Sequence, residues 1–231
     1  MKGLIEIFYE PGKVFDYVRE RGAWAIALIA NIILILFTST YATHAIGPDN
    51  IARHQLETSR MAASMTPEQK ETAAQAALSP TRQAITGAAV VVVTIVIFVI
   101  FGLLNMAIAG VSGSPIKFGQ AMGVTVYSSW PLTLLRTLLS VVVIMMAADK
   151  ADLDPQHLLA FNAGAFLDKA TTSKFVYSLA SSIDLLTFAT MLLGAYGLAR
   201  VAKIAFSRAL VGLILIWIVF SFIGAGLASL F

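Results

Sequence analysis

No charged residue stands between Arg82 and Lys117, and the centre of that stretch, Ala89–Ala109, reads AVVVVTIVIFVIFGLLNMAIA. A helix of about 20 apolar residues crosses the hydrocarbon of a bilayer. Once one such segment is present, oil rather than water is the solvent for the chain. Backbone groups must then be satisfied within each segment, which leaves the helix as the default. Four further runs read the same way: Ala23–Tyr41, the stretch from Lys117 to Asp149 interrupted by Arg136 alone, the uncharged run from Asp184 to Arg200 extended backward by Phe175–Ile183, and Ala209–Phe231. The expectation is an all-α membrane protein, a five-transmembrane-helix bundle with an N-terminal amphipathic helix and two helical outer loops. Its spans fall at about 23–41, 86–109, 120–147, 181–199 and 209–230. The domain reading is residues 1–22 as a cytoplasmic amphipathic tail and 23–231 as the five-span membrane domain.

Composition agrees. The 231 residues are 58% hydrophobic and 13% charged, where a soluble domain carries about a quarter charged residues. There is no cysteine, which excludes disulfides, thiolate nucleophiles, zinc-thiolate sites and palmitoylation. The net charge of +3 is not a nucleic-acid signal, because the basic residues flank apolar runs and form no aromatic-interleaved stripe.

Lysine and arginine near span ends set orientation. Lys2, Lys13, Arg19 and Arg21, then Lys117, then Arg200, Lys203 and Arg208 crowd one side in short segments. The longer loops 42–85 and 148–180 hold Arg53, Arg60, Lys70, Arg82, Lys150, Lys169 and Lys174. The N-terminus is therefore expected in the cytoplasm of a cell with the chain in its inner membrane, and the C-terminus outside. The acidic tail and the missing A-x-A site argue against a cleaved leader.

The tail has two amphipathic pieces split by Pro11-Gly12: Leu4, Ile5 and Phe8 share one face, Val14, Phe15 and Val18 the next. These faces lie either on the cytoplasmic leaflet or against the bundle. In loop 42–85, Ile51–Ala63 reads as a helix. Thr66-Pro67-Glu68-Gln69 reads as a cap, a first-turn proline and a capping-box glutamine for a second helix ending near Leu78. Ser79-Pro80 caps the helix that enters the membrane. In loop 148–180, Asp154-Pro155 opens a helix over Gln156–Lys169 resting at the outer interface. Asp149, Asp152 and Asp154 lack the glycine and distal glutamate of a calcium loop and read as a solvated turn.

The third span is unusually long and holds Pro131, which removes a backbone hydrogen bond, so a kinked or broken helix is expected there. Arg136 follows. An arginine at mid-span costs about 2.5–3.5 kcal/mol on insertion scales and seeks a partner. Two readings stand. Arg136 pairs with Asp184 to form a polar site beside the helix break, or it snorkels while Asp184 caps a helix start. Asn31 in the first span is a further polar candidate, with helix-to-helix bonding its simpler role. Gly110-Val111-Ser112-Gly113 matches the GxSG of rhomboid-type proteases, but that chemistry needs a histidine base beside the serine. His44, His54 and His157 all fall in outer loops, so the segment reads as a turn. The histidine spacings match no metal motif, and no P-loop, GxGxxG or HExxH is present. Neither a catalytic constellation nor a cofactor or metal site is expected. Gly119 and Gly123 at the head of the third span permit close approach of another segment.

Several of these segments resemble bacterial Yip1-domain proteins. The opening IFYEPGKVFDYVRERGAW at 7–24 is similar to the family's apolar turn, proline and following aromatic. The segment Tyr127-Ser128-Ser129-Trp130-Pro131 resembles its aromatic-small-small-apolar-proline segment. The block at 178–217 resembles its distal part through Ser181-Ser182, Asp184-Leu185-Leu186, Gly197, Ser207-Arg208 and Trp217. The resemblance implies five spans and a cytosolic N-terminus. Eukaryotic members bind small GTPases through a long tail with a DLYGP-type motif. The tail here has no such motif, so that role does not carry over, while some bacterial members accompany ABC-type exporters. Two functions follow as expectations. One is a non-enzymatic organiser or accessory subunit of a membrane complex, touching lipid and a membrane-protein partner or a second copy. The other is a small transporter or channel with a polar site around Arg136 and Pro131.

Overall fold

The computed structural model describes residues 2–58, 65–150, 153, 158–159, 161–168 and 171–230, with 54–58 described by backbone alone. Among these the helices are α1 (Lys2–Glu6), α2 (Pro11–Arg21), α3 (Ala25–Ile46), α4 (Pro48–Thr58) and α5 (Pro67–Ala77). They continue as α6 (Pro80–Val111), α7 (Phe118–Met146), α8 (Lys174–Ser182), α9 (Leu185–Ala202) and α10 (Phe206–Leu230), with a 3₁₀ turn at Ala163–Phe166. Five of them, α3, α6, α7, α9 and α10, are long and apolar enough to cross a membrane.

The loop caps form as expected. Thr66 Oγ1 accepts from the Gln69 backbone N–H and Gln69 Oε1 from that of Thr66, so α5 starts on a complete capping box. Ser79 accepts from the Arg82 N–H and starts α6. In the preceding stretch α4 begins at Pro48 rather than Ile51, and residues 59–63 lie outside the described residues. The expected outer helix over 156–169 is not what 161–168 form: they make the single 3₁₀ turn and an extended bridge from Asn162 to Asp184. Asp152, Asp154, Pro155, Gln156, His157 and Lys169 lie outside the described residues.

Two expectations about the spans change. α7 runs unbroken through Pro131. Ser128 donates to the Val124 carbonyl (2.7 Å) and Ser129 to that of Thr125 (2.8 Å), the turn before the carbonyl that the proline frees. The break lies instead in the fourth span, at Ile183-Asp184, between α8 and α9. Side chains of α8 run along α10: the Phe175 ring lies 6.3 Å from that of Phe222, and the Trp217 indole N–H donates to the Ser182 carbonyl at 3.2 Å. As α10 advances from Trp217 to Phe222, α8 recedes from Ser182 to Phe175, so α8 is the outer part of the fourth crossing. That crossing is discontinuous and starts near Lys174, not at 181.

The tail packs on the bundle. Val14, Phe15 and Val18 are fully buried, and a Cβ at Gly197 of α9 would meet the Phe15 ring at 2.5–2.9 Å. Gly123 of α7 is held against Val18, and Gly119 faces the Gly22 carbonyl. The two α7 glycines therefore receive the tail rather than another span. Gly22 itself closes α2 at φ +61°, a conformation glycine adopts without strain. Asp16 binds Arg200 through both carboxylate oxygens, at 2.6 and 3.2 Å. On α1 the inward residues are Leu4 and Ile7; Ile5 and Phe8, expected on the same face as Leu4, are exposed. The Trp130 indole donates to the Leu4 carbonyl at 2.8 Å, which tucks α1 beside the third span.

The same end is stitched by the short loops. Ser114 donates to the Ala202 carbonyl, Gln120 to that of Arg19 and Arg208 to that of Ser112. Lys117, Arg200, Lys203 and Arg208 thus gather with the basic tail at one end of the bundle. Below it, Met122, Val124, Val126 and Leu198 fill the core.

Replacing Gly197 by alanine forces the Phe15 ring out of its seat and destabilises docking of α2 by about 1–3 kcal/mol. Trypsin cleavage at Lys13, Arg19 and Arg21 in detergent-solubilised protein is expected to accelerate accordingly. The hydrogen bond from Arg200, then the charges of Arg200 and Arg19, hold the Asp16 carboxyl below its ordinary range against the opposing effect of burial. A carboxylate so depressed stabilises the docked tail above its free pKa of about 3.9 and loses that effect as pH falls through the lowered value. A nitroxide at Tyr17→Cys is expected to gain mobility in that acid window, and Asp16→Asn to abolish the dependence. The pair is solvent-exposed, so screening keeps its effect small.

Candidate functional site

The break in the fourth span brings the polar residues of the membrane interior together. Arg136 lies ten residues short of the Met146 end of α7, and Asp184 lies ten residues past the Lys174 start of α8. Each is about 15 Å from its helix end at 1.5 Å per residue, so the two meet at one depth. α8 supplies the turns that lie outside Asp184.

Asp184 Oδ1 accepts from Arg136 Nη2, from the Thr187 backbone N–H at 2.7 Å and from the Thr187 hydroxyl at 2.9 Å. Arg136 Nη2 also reaches the Thr187 hydroxyl at 3.3 Å. Asp184 is therefore both the N-cap of α9 and the partner of Arg136: the two readings of the sequence are both met by one carboxylate. Its side chain is 11% exposed and that of Arg136 44%. The negative end of the pair is enclosed, and the positive end looks outward.

A helix break at membrane depth frees backbone groups that lipid cannot bind. Here the loop after the third span satisfies them. The Ala163 N–H donates to the Ile183 carbonyl at 2.9 Å, and the Leu185 N–H to the Phe161 carbonyl at 3.0 Å. Trp217 covers the Ser182 carbonyl. Beside this knot lies a cavity of about 360 Å³ lined by Thr38, Arg136, Ser140, Asn162, Asp184 and Thr187 among others. A second, of about 490 Å³, lies between α6, α7, α9 and α10 and shares Ser182 and Thr187 with the first.

The third sequence candidate, Asn31, sits apart from this group. It is fully buried and donates to the Ala27 carbonyl of its own helix and, at 3.1 Å, to the Val126 carbonyl of α7. Asn105, which the sequence reading passed over, does the same for α6 through the Thr125 hydroxyl at 2.9 Å. Both asparagines keep a buried side-chain oxygen without a partner. Thr38 and Thr137 bond at 2.8 Å and complete the polar seam of α7. The signal for Asn105 was available as an amide inside an otherwise apolar run. Ser112 ends α6 at the basic end, whereas His44 is in the last turn of α3 at the other. The GxSG segment and this histidine thus lie a bilayer apart; the side chains of His54 and His157 lie outside the described residues.

The Yip1 domain pattern matches residues 5–227, which is nearly the whole chain and includes the tail, the break and both cavities. The chain belongs to the Yip1 domain family. It is accordingly a multi-pass membrane protein. No curated protein and no solved structure matches it.

Asp184→Asn keeps an acceptor for the α9 cap but discards the charge that faces Arg136. Asp184→Ala removes both, and loss of the cap alone costs about 1 kcal/mol. The expected order of melting temperatures in detergent is wild type, Asp184→Asn, Asp184→Ala. A double-mutant cycle with Arg136→Gln is expected to return a coupling of about 0.5–3 kcal/mol, towards the lower part of that range because Arg136 is partly exposed.

Proposed function

We propose that this Yip1 domain is a non-catalytic organiser or accessory subunit of a membrane complex and works through helix contacts with a membrane-protein partner. One observation carries the reading. α6 is 32 residues long, yet its buried residues are Phe98, Gly102, Asn105 and Ala109. Its first half, through Ile85, Val92, Val93 and Val96, presents a long apolar ridge that the described residues leave exposed. Helix association in lipid is driven by packing rather than by escape from water. Half a span without packing is therefore a surface on which another helix gains contacts. In this reading residues 1–22 form the cytoplasmic base of the domain, consistent with the basic residues gathered there. The membrane is the cell's inner membrane, and the C-terminus is outside.

The test is a photoreactive residue at Val93 or Val96, compared with one at Ile33 on the outward side of α3, in native membranes. A discrete protein adduct at the α6 positions and none at Ile33 is the expected result. Lipid adducts alone at all three positions would overturn the reading.

A second reading, a small transporter or channel, draws on the discontinuous fourth span and the cavity that reaches Arg136. Broken helices at mid-membrane are a transporter trait. Against it stands the packed layer of Phe15, Val18, Met122 and Leu198, which lies between the outer cavities and the hollow of about 730 Å³ beside the tail. The native chain has no cysteine, so Ser182→Cys and Val124→Cys can be probed directly with an impermeant thiol reagent. The organiser reading expects Ser182→Cys to label from the outer side and Val124→Cys from neither. Transport requires labelling of Val124→Cys.

A further inference from the structure

The cavity of about 490 Å³ between α6, α7, α9 and α10 has a lining that selects a ligand. Its size falls within the range of small-molecule sites, and its mixture of a mostly apolar wall with a few placed polar atoms is theirs too. Three of its lining residues, Ile97, Phe101 and Phe220, are also exposed on the outside of the bundle. They flank the seam where α6 leans on α10, with the Phe101 and Phe220 rings 5.8 Å apart. A chain-like molecule can therefore enter from the lipid between these helices.

Acceptors dominate the inner wall. Ser128, Ser129 and Thr190 each donate their hydroxyl proton to a carbonyl one turn back in their own helix. Thr125 does the same while accepting from Asn105, whose own side-chain oxygen keeps no partner. The Ser182 hydroxyl goes to the Leu179 carbonyl, and the Trp217 indole N–H to that of Ser182. With their protons committed, these hydroxyls offer the cavity oxygen lone pairs, and the Ser178 and Ser221 hydroxyls beside them can donate or accept. Such a wall offers an anion no counter-charge. Its lining has no ionisable residue, and the nearby Asp184 is neutralised by Arg136, so nothing balances a cation. A pure hydrocarbon would leave the oxygens unpaired at a cost. What fits is an uncharged donor on an apolar chain.

We infer that this cavity binds an uncharged alcohol-headed lipid of the glyceride class, its hydroxyls donating to the Ser/Thr wall and its chain leaving between Phe101 and Phe220. This inference does not rest on the organiser reading and can fail without it.

The test uses the full chain in phosphatidylcholine nanodiscs and the fluorescence of Trp217, which lines the cavity; Trp217→Phe supplies the background from Trp24 and Trp130. Three bromine-labelled quenchers are compared: dibromostearoyl monoglyceride, the methyl ester of the same acid, and a brominated phosphatidylcholine. The monoglyceride is expected to quench saturably, with half-effect at a mole fraction about tenfold lower than the ester, as one or two extra hydrogen bonds provide. Gly224 lines the cavity and a Cβ there would meet nothing within 4 Å. Gly224→Leu should remove the saturable part without lowering the melting temperature. Thr190→Val keeps the shape and removes one acceptor; it should narrow the gap between monoglyceride and ester, and it carries the test if Gly224→Leu does not fold. Equal quenching by monoglyceride and ester overturns the inference. So does a linear response matching the brominated phosphatidylcholine, or unchanged saturation in a folded Gly224→Leu.

Discussion

One carboxylate organises the membrane interior of this domain. Asp184 ends the interruption of the fourth span by capping α9, and it neutralises the arginine that the third span carries across from it. In water these would be separable small effects. In hydrocarbon they are not, because an unmatched guanidinium and an uncapped helix start are each costly. The break at Ile183-Asp184, the loop that descends to bond its backbone and the position of Arg136 therefore form one solution to one problem. The small cavity beside them exists because polar backbone and side chains occupy depth that packed apolar side chains would otherwise fill.

The opposite end is built on a different principle. Glycines at 119, 123 and 197 remove side chains from α7 and α9, and Val18, Gly22 and Phe15 of the tail occupy the space. The tail is thereby part of the bundle wall, held by close fit and by the Asp16–Arg200 pair. The two ends differ in consequence: one is closed by the seated tail and charged around its rim, the other is interrupted and polar.

Much of the architecture was legible in the residues because the bilayer imposes a coarse and strict pattern. Long uncharged runs located all five spans, and Thr66, Gln69 and Ser79 announced their caps by chemistry that acts within one helical turn. Pairing of Arg136 with Asp184 was legible as a possibility, since each is a charge in an apolar setting. Where the break falls was not, because the uncharged run extends smoothly back through Phe175–Ile183, and only the packing of α8 along α10 shows that the helix is interrupted at Ile183-Asp184. The break was expected at Pro131, where a rule about one residue is simple to apply. Yet α7 continues through Pro131, whereas at Ile183-Asp184 a distant loop, 161–163, offers bonds to the backbone. That loop read as an interfacial helix from its apolar spacing; a bridge to Asp184 is a tertiary event with no local signature.

The base of the bundle has an implication for how the chain is made. Residues 2–21 leave the ribosome before Gly123, and long before Gly197 and Arg200, against which they settle. The tail can therefore take its seat only once α9 has been made. A piece made early is fitted late, so its seating reports that the fourth crossing is in place.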